Sequence, residues 1–162
     1  MYHFAGDSTL TKPELYRELT ASAEALVAGE RDSVANMANL AALLWQLLPD
    51  LNWAGFYRVV AGELVLGPFQ GKAACIRIPF GQGVCGAAAA SGAVQLVADV
   101  HAFPGHIACD ADSRSELVVP VLHHGVVIAV IDLDSPTLAR FDAEDAAGIA
   151  QLAKAIAAAI AG

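Results

Sequence analysis

The sequence predicts an α+β domain in which a mainly antiparallel sheet of about six strands is flanked by helices. Three observations lead there. Apolar residues recur at helical spacing near both ends of the chain. The middle of the chain changes to short β-branched and aromatic runs. The turns that join several of these runs are hairpin-sized, so neighbouring strands run antiparallel.

The elements follow in order. Thr11-Lys12-Pro13-Glu14 has the form of a capping box with proline in the first turn. Leu15, Leu19 and Leu26 follow at helical spacing. A second helix starts near Asp32 or Ser33, with Val34, Met37, Ala41, Leu44, Trp45 and Leu48 on one stripe, and ends at Pro49. Trp53 to Val60 reads as a strand. Ala61-Gly62 turns the chain, and Glu63 to Phe69 pairs back. Cys75 to Ile78 is a short third strand. Gly81-Gln82-Gly83 leads into a small Ala-rich helix closed by Ser91-Gly92, and Val94 to Val97 is strand again. Val100 to Ser115 has no clear period and reads as a long loop with room for one helical turn. Loops of that length in compact domains are often functional. Glu116 to Leu122 and Val126 to Leu133 form a hairpin around His123-His124-Gly125. Phe141-Asp142 opens a last helix, with Asp145 in the capping-box position and Ile149, Leu152, Ile156 and Ile160 on its buried face. The boundaries are about 12–48 for the N-terminal helices, about 52–135 for the sheet and its loop, and about 142–161 for the last helix. The 162 residues are the length of one domain, with no internal repeat or linker.

Composition narrows the function classes. Apolar residues make up 56% and charged residues 16%, which excludes a disordered chain. The net charge is −8 with no basic cluster, so no nucleic acid partner is expected. The charge-free stretch from Ile78 to Ala98 is interrupted by Pro79, glycines and polar residues, so no membrane span is expected either. Met1 to Asp7 holds no basic region leading into an apolar run. A signal peptide is therefore not expected, and a cytoplasmic protein is. Three cysteines, an odd number, argue against a structural disulfide framework.

The candidate chemistry lies in a few residues. Cys109 sits in the long loop with Asp110, Asp112, Ser113 and Ser115 behind it. It is either an accessible, reactive thiol or a buried space-filler. Cys75 follows Gly71-Lys72-Ala73-Ala74, where Lys72 and Arg77 favour a thiolate. Cys85 opens an apolar helix and is expected to pack inward. Glu116, Asp132 and Asp134 are acids in strands otherwise built of Val, Leu and Ile. Asp132 and Asp134 are two apart and share a strand face. Carboxylates converging on one sheet end repel, raise each other's pKa and can keep a proton for general acid work. Trp53 and Tyr57, four apart on one strand, also share a face and can line an apolar pocket. Phe56 is assigned to the core. His101, His106 and Cys109 fit no tight zinc spacing, so no metal site is expected.

The run from Phe80-Gly81-Gln82-Gly83-Val84-Cys85-Gly86 through Ala98-Asp99-Val100 resembles the central signature of a GAF domain, as does the hairpin from Glu116 to Ser135. Asn52-Trp53-Ala54-Gly55-Phe56-Tyr57, Ala74-Cys75-Ile76-Arg77-Ile78 and Phe103-Pro104-Gly105-His106-Ile107-Ala108-Cys109-Asp110 resemble the free methionine-(R)-sulfoxide reductases within that group. The resemblance runs from about residue 15 onward and implies a single GAF-like domain over residues 1–162. It implies reduction of free L-methionine (R)-S-oxide to methionine through a cysteine sulfenic acid and an intramolecular disulfide. Cys109 would be the nucleophile, Cys75 the main resolving thiol, and Cys85 dispensable or an auxiliary. Glu116, Asp132 and Asp134 would be the substrate-site acids, and Trp53 and Tyr57 would shape the pocket around the substrate methyl. No bound cofactor is implied. Electrons would come from thioredoxin and its NADPH-dependent reductase, and the chain would form a homodimer through its N-terminal helices. The competing readings are a non-catalytic GAF sensor of a small ligand and a thiol redox switch.

Overall fold

Capping chemistry sets the first and last helices of the computed structural model, which describes residues 9–107 and 110–162. Helix α1 (Lys12–Val27) begins where the Thr11 backbone N–H and hydroxyl both donate to Glu14 Oε2, at 2.9 and 2.7 Å. Helix α4 (Ala143–Ile160) begins at Asp142, whose Oδ1 accepts from the backbone N–H of Glu144 and Asp145. Asp145 Oδ2 accepts from the Asp142 N–H in return, at 2.9 Å. The two helices pack closely because Gly148 of α4 leaves room for the Tyr16 ring. A Cβ there would fall 2.1 Å from Tyr16 Cγ. The Tyr16 hydroxyl donates to Asp145 Oδ1 at 2.7 Å.

Helix α2 (Ser33–Leu47) buries Met37, Leu40, Ala41, Leu43 and Leu44. Val34 and Trp45 depart from the predicted stripe, being 48% and 41% exposed. At about 100° per residue they lie only about 20° apart. They occupy the margin of an arc whose centre is Leu40 and Met37.

The strands are β1 (Trp53–Val60), β2 (Glu63–Gly71), β3 (Arg77–Pro79), β4 (Gln95–Val97), β5 (Ser115–His123) and β6 (Val126–Ser135), with helix α3 (Gly83–Ser91) between β3 and β4. They form one six-stranded sheet in the order β3-β2-β1-β6-β5-β4, and every pairing among the described residues is antiparallel. Both hairpin turns place two residues at positive φ: Ala61 at 51° and Gly62 at 85°, then His124 at 50° and Gly125 at 78°. That is the two-residue turn whose twist suits a hairpin. The third strand starts at Arg77, not at Cys75. The Cys75 carbonyl accepts from the Tyr57 hydroxyl at 3.0 Å, and the Ile76 carbonyl accepts from the Leu66 N–H of β2 at 2.9 Å, so a side chain holds Cys75 and the backbone pairing with β2 begins after it.

Strand alternation sorts the interior into two layers. Ala54, Phe56, Leu117, Val119, Val121, Ile131 and Leu133 face α1, α2 and α4 in the larger core. Trp53, Tyr57, Val118 and Val130 face the other way, against α3 and the loops, with Val84, Cys85 and Ala88. Among the described residues no helix is long and apolar enough to cross a membrane.

Candidate active site

The site lies on the second face, and residue parity puts it there. On β5, odd positions fill the larger core, so Glu116 and Val118 face the opposite layer. On β6, Ile131 and Leu133 fill the larger core, so Asp132 and Asp134 face away from it. On β1 the same alternation sends Trp53 and Tyr57 to the site and Phe56 to the core. The ladder then aligns them. Asp134 pairs with Glu116 on one side and with Trp53 on the other. Asp132 sits one row along, between Val118 and Gly55.

These side chains line one small cavity, roofed by α3 and by the loop after the short turn Val100–Ala102. Its volume is about 30 Å³. Trp53 stacks on Phe69 at 5.1 Å and on Tyr57 at 5.8 Å between ring centroids. The two polar tips of this stack hold the segment before β3. Trp53 Nε1 donates to the Lys72 carbonyl at 3.1 Å, and the Tyr57 hydroxyl donates to the Cys75 carbonyl. The aromatics therefore both wall the cavity and fix the backbone that carries Cys75.

Burial dominates the electrostatics of the acids. Glu116 is held well above the ordinary carboxyl range by loss of solvent, then by the charge of Asp132 and Asp134. Asp134 is raised for the same reasons, desolvation first and Asp132 next. Asp132 is pushed up to about 6 by burial, while hydrogen bonds from Cys85 and Glu116 pull it back. The three acids titrate as one coupled set, and burial favours a proton held within it.

The three cysteines stand in three situations. Cys75 is disulfide-bonded. The cations expected to favour its thiolate are engaged elsewhere: Lys72 pairs with Asp110 and Asp112, and Arg77 with Glu63. Cys85 is free and buried, as its place at the start of an apolar helix predicts. Its destination is more specific than core packing, because Sγ lies 3.9 Å from Glu116 Oε1 and its thiol is raised by burial and by the acids. Cys109, predicted as the nucleophile, lies outside the described residues.

Several residues at the site had no assigned role in the sequence. His106 lines the cavity, its Nε2 3.9 Å from Glu116 Oε2. His101 turns instead to Asp99, at 3.2 Å, with its ring centroid 6.4 Å from that of His106. Asn52 Nδ2 donates to Asp110 Oδ2 and to Ser113 Oγ, at 3.1 and 3.0 Å. This ties the start of β1 to the loop leading into β5. The Pro-Gly-His-Ile run marks His106 in the sequence. Nothing in periodicity or spacing marks Asn52 or Ser113.

Comparison with known proteins gives consistent relatives. Residues 35–161 match the GAF domain family. A free methionine-R-sulfoxide reductase from Escherichia coli is 52% identical over 88% of this chain and 87% of its own. One from Saccharomyces cerevisiae is 44% identical over 95% and 90% of the two chains. The X-ray structure of the free methionine-R-sulfoxide reductase from Neisseria meningitidis, in complex with its substrate, superposes with a TM-score of 0.92. It is 48% identical, with 98% of this chain and 96% of the other covered.

Proposed function

The chain belongs to the GAF-domain family of free methionine-R-sulfoxide reductases, and we propose that it reduces free L-methionine (R)-S-oxide to methionine by thiol chemistry in the cavity described above. The observation that carries this reading is the acid trio on one sheet face, Glu116 and Asp132 buried and Asp134 half-buried, beside the segment of the disulfide-bonded Cys75. Only buried acids of this kind keep a proton to give near neutrality.

A sulfoxide sulfur becomes electrophilic when its oxygen is protonated. Glu116 or Asp134 supplies that proton. The Cys109 thiolate attacks, the sulfur–oxygen bond of the substrate breaks, and methionine leaves. The oxygen ends on Cys109 as a sulfenic acid. The Cys75 thiol then condenses with it, forming the disulfide and releasing water. Asp132, ionised, faces the substrate ammonium, and Trp53 and Tyr57 contact its methyl. Cys85 is an auxiliary to the acids and not the main partner of Cys109.

The cycle needs no bound cofactor. An external dithiol reduces the disulfide, for which thioredoxin and its NADPH-dependent reductase are the proposed electron source in a cytoplasmic protein. A homodimer is proposed through the N-terminal helices, where Val34 and Trp45 leave an apolar edge on α2. The whole chain, residues 1–162, is proposed to act as one domain.

The deciding measurement is NADPH consumption coupled through thioredoxin, with each epimer of free methionine sulfoxide. Turnover with the R epimer alone is expected. Ligand binding without turnover would instead make the chain a GAF sensor. Oxidation of the thiols with no methionine released would make it a redox switch.

A further inference from the structure

Cys85 Sγ, one oxygen of Glu116 and one of Asp132 all lie within 4.8 Å of one another, and all three residues are buried. They come from three different elements, α3, β5 and β6. Asp132 is 6% exposed, and its Oδ1 accepts no hydrogen bond from any described group although it lines the cavity. His106 completes the group from the facing loop, its Nε2 3.9 Å from the second oxygen of Glu116. The four donors are a thiol sulfur, two carboxylate oxygens and an imidazole nitrogen.

We propose that Cys85, Glu116, Asp132 and His106 bind one divalent cation of the zinc class, and that the bound ion occludes the cavity. Zinc takes sulfur at about 2.3 Å and nitrogen or oxygen at about 2.0–2.2 Å in a tetrahedral shell. Donors in that shell stand roughly 3.5 Å apart, so Cys85, Glu116 and Asp132 close on an ion by small rotations from separations within 4.8 Å, and the His106 ring swings in from beside Glu116 to complete the shell. The donor set selects the cation. Thiolate and imidazole favour zinc and cobalt over magnesium and calcium, which want oxygen alone. Size agrees as well. The cavity of about 30 Å³ exceeds the roughly 10–15 Å³ that one water-sized sphere needs, so an ion fits within it. The unpaired oxygen of Asp132 gains a partner, and the repulsion among the acids is relieved.

Binding expels the thiol proton of Cys85 and any proton on Glu116, so affinity rises with pH. The groups that face Cys85 are Glu116 from β5, Asp132 and Asp134 from β6, Tyr57 from β1 and His106 from the loop. Zinc would therefore act as an inhibitor that competes with any ligand needing the same carboxylates.

The test uses cobalt(II) as probe on the full chain in its disulfide form, where Cys85 is the free thiol among the described residues. No turnover is needed, so the result stands apart from the reductase reading. One equivalent of cobalt should give a thiolate-to-metal charge-transfer band in the near ultraviolet and the visible bands of a tetrahedral site. Excess zinc should abolish them. Cys85→Ser should lose the charge-transfer band. Asp132→Asn should weaken cobalt binding at least about tenfold, the loss that even an outer partner of a metal ligand produces. His101→Asn should leave the spectrum unchanged. Circular dichroism checks that each variant is folded, and Asp132→Asn decides the matter if Cys85→Ser is not. The proposal is overturned by a band that appears only after reduction, which would place the metal on the other thiols. It is also overturned by a band that survives Cys85→Ser, by one lost in His101→Asn, or by no band at all.

Discussion

Glu116 of β5 stands directly opposite Asp134 of β6 in the ladder, and both side chains leave the sheet on the cavity side. Two carboxyl groups so paired cannot both ionise cheaply in a desolvated site, and both are raised. Glu116→Gln and Asp134→Asn keep size and polarity but remove the transferable proton. The donor of the pair should lose on the order of 10²–10⁴ in the rate of methionine release. Rapid mixing in a single turnover measures this. A variant with the wild-type rate assigns its acid to substrate binding, and the donor role passes to the other.

The thiols should separate by kinetics. Cys109→Ser should release no methionine. Cys75→Ser should release about one equivalent per site and then stall, because the sulfenic acid lacks its partner. Mass spectrometry after a sulfenate trap reads the stalled species. The reverse ranking would exchange the two roles.

Acid titration should act on activity and stability with the same sign. Glu116, Asp132 and Asp134 all bind protons more tightly in the folded chain than their ordinary values allow. Stability from these groups is full at pH values below the ordinary carboxyl range. It falls as pH rises through the folded values, about 6 for Asp132 and raised in the same direction for the other two. Thermal unfolding between pH 5 and 9 should show the decline, and Asp132→Asn should flatten it. The single-turnover rate should fall over the alkaline side as the donor loses its proton, and that limb should vanish in the variant lacking the donor.

The cavity of the disulfide form is small, about 30 Å³. Trp53 and Tyr57 fix the Lys72 and Cys75 carbonyls on either side of Ala73 and Ala74, which line it. Free methionine sulfoxide should therefore bind more weakly to the disulfide form than to the reduced chain. Calorimetry on the two forms tests this. Equal affinity would show that the cavity dimensions do not depend on the redox state. The reduced chain should turn over the free amino acid and not methionine sulfoxide within a polypeptide.

Gly86 carries the close approach of α3 to the strand before it. A Cβ there would lie 2.5 Å from the Pro79 carbonyl oxygen, a backbone atom that cannot rotate away. Gly86→Ala should cost about 1–3 kcal/mol by overpacking. The melting temperature should drop by about 2–4 °C for each kcal/mol in a chain of this size. Because Cys85 is its neighbour, the same variant should also slow methionine release.

Local signals in the chain set the elements and the parity of the site. Caps at Thr11 and Asp142, the two positive-φ turns and the alternation along Glu116–Leu122 and Val126–Leu133 are local signals, decided within a few residues. They already separate Phe56 from Trp53 and Tyr57, and place Asp132 and Asp134 on one face. Where burial is shared among several elements, local pattern failed. Val34 and Trp45 fit the α2 stripe but lie at its margin, because the neighbouring helices and sheet choose which arc is covered. Cys75 reads as strand, yet a tyrosine hydroxyl from β1 takes its carbonyl and delays the strand to Arg77. Only tertiary structure brought Cys85 and His106 to Glu116. Those contacts join residues far apart in the chain, and no spacing rule connects a helix start, a loop and a strand end. The raised pKa values are tertiary too. They come from desolvation by α3 and the loops over the sheet, a property of the closed fold that no single strand possesses.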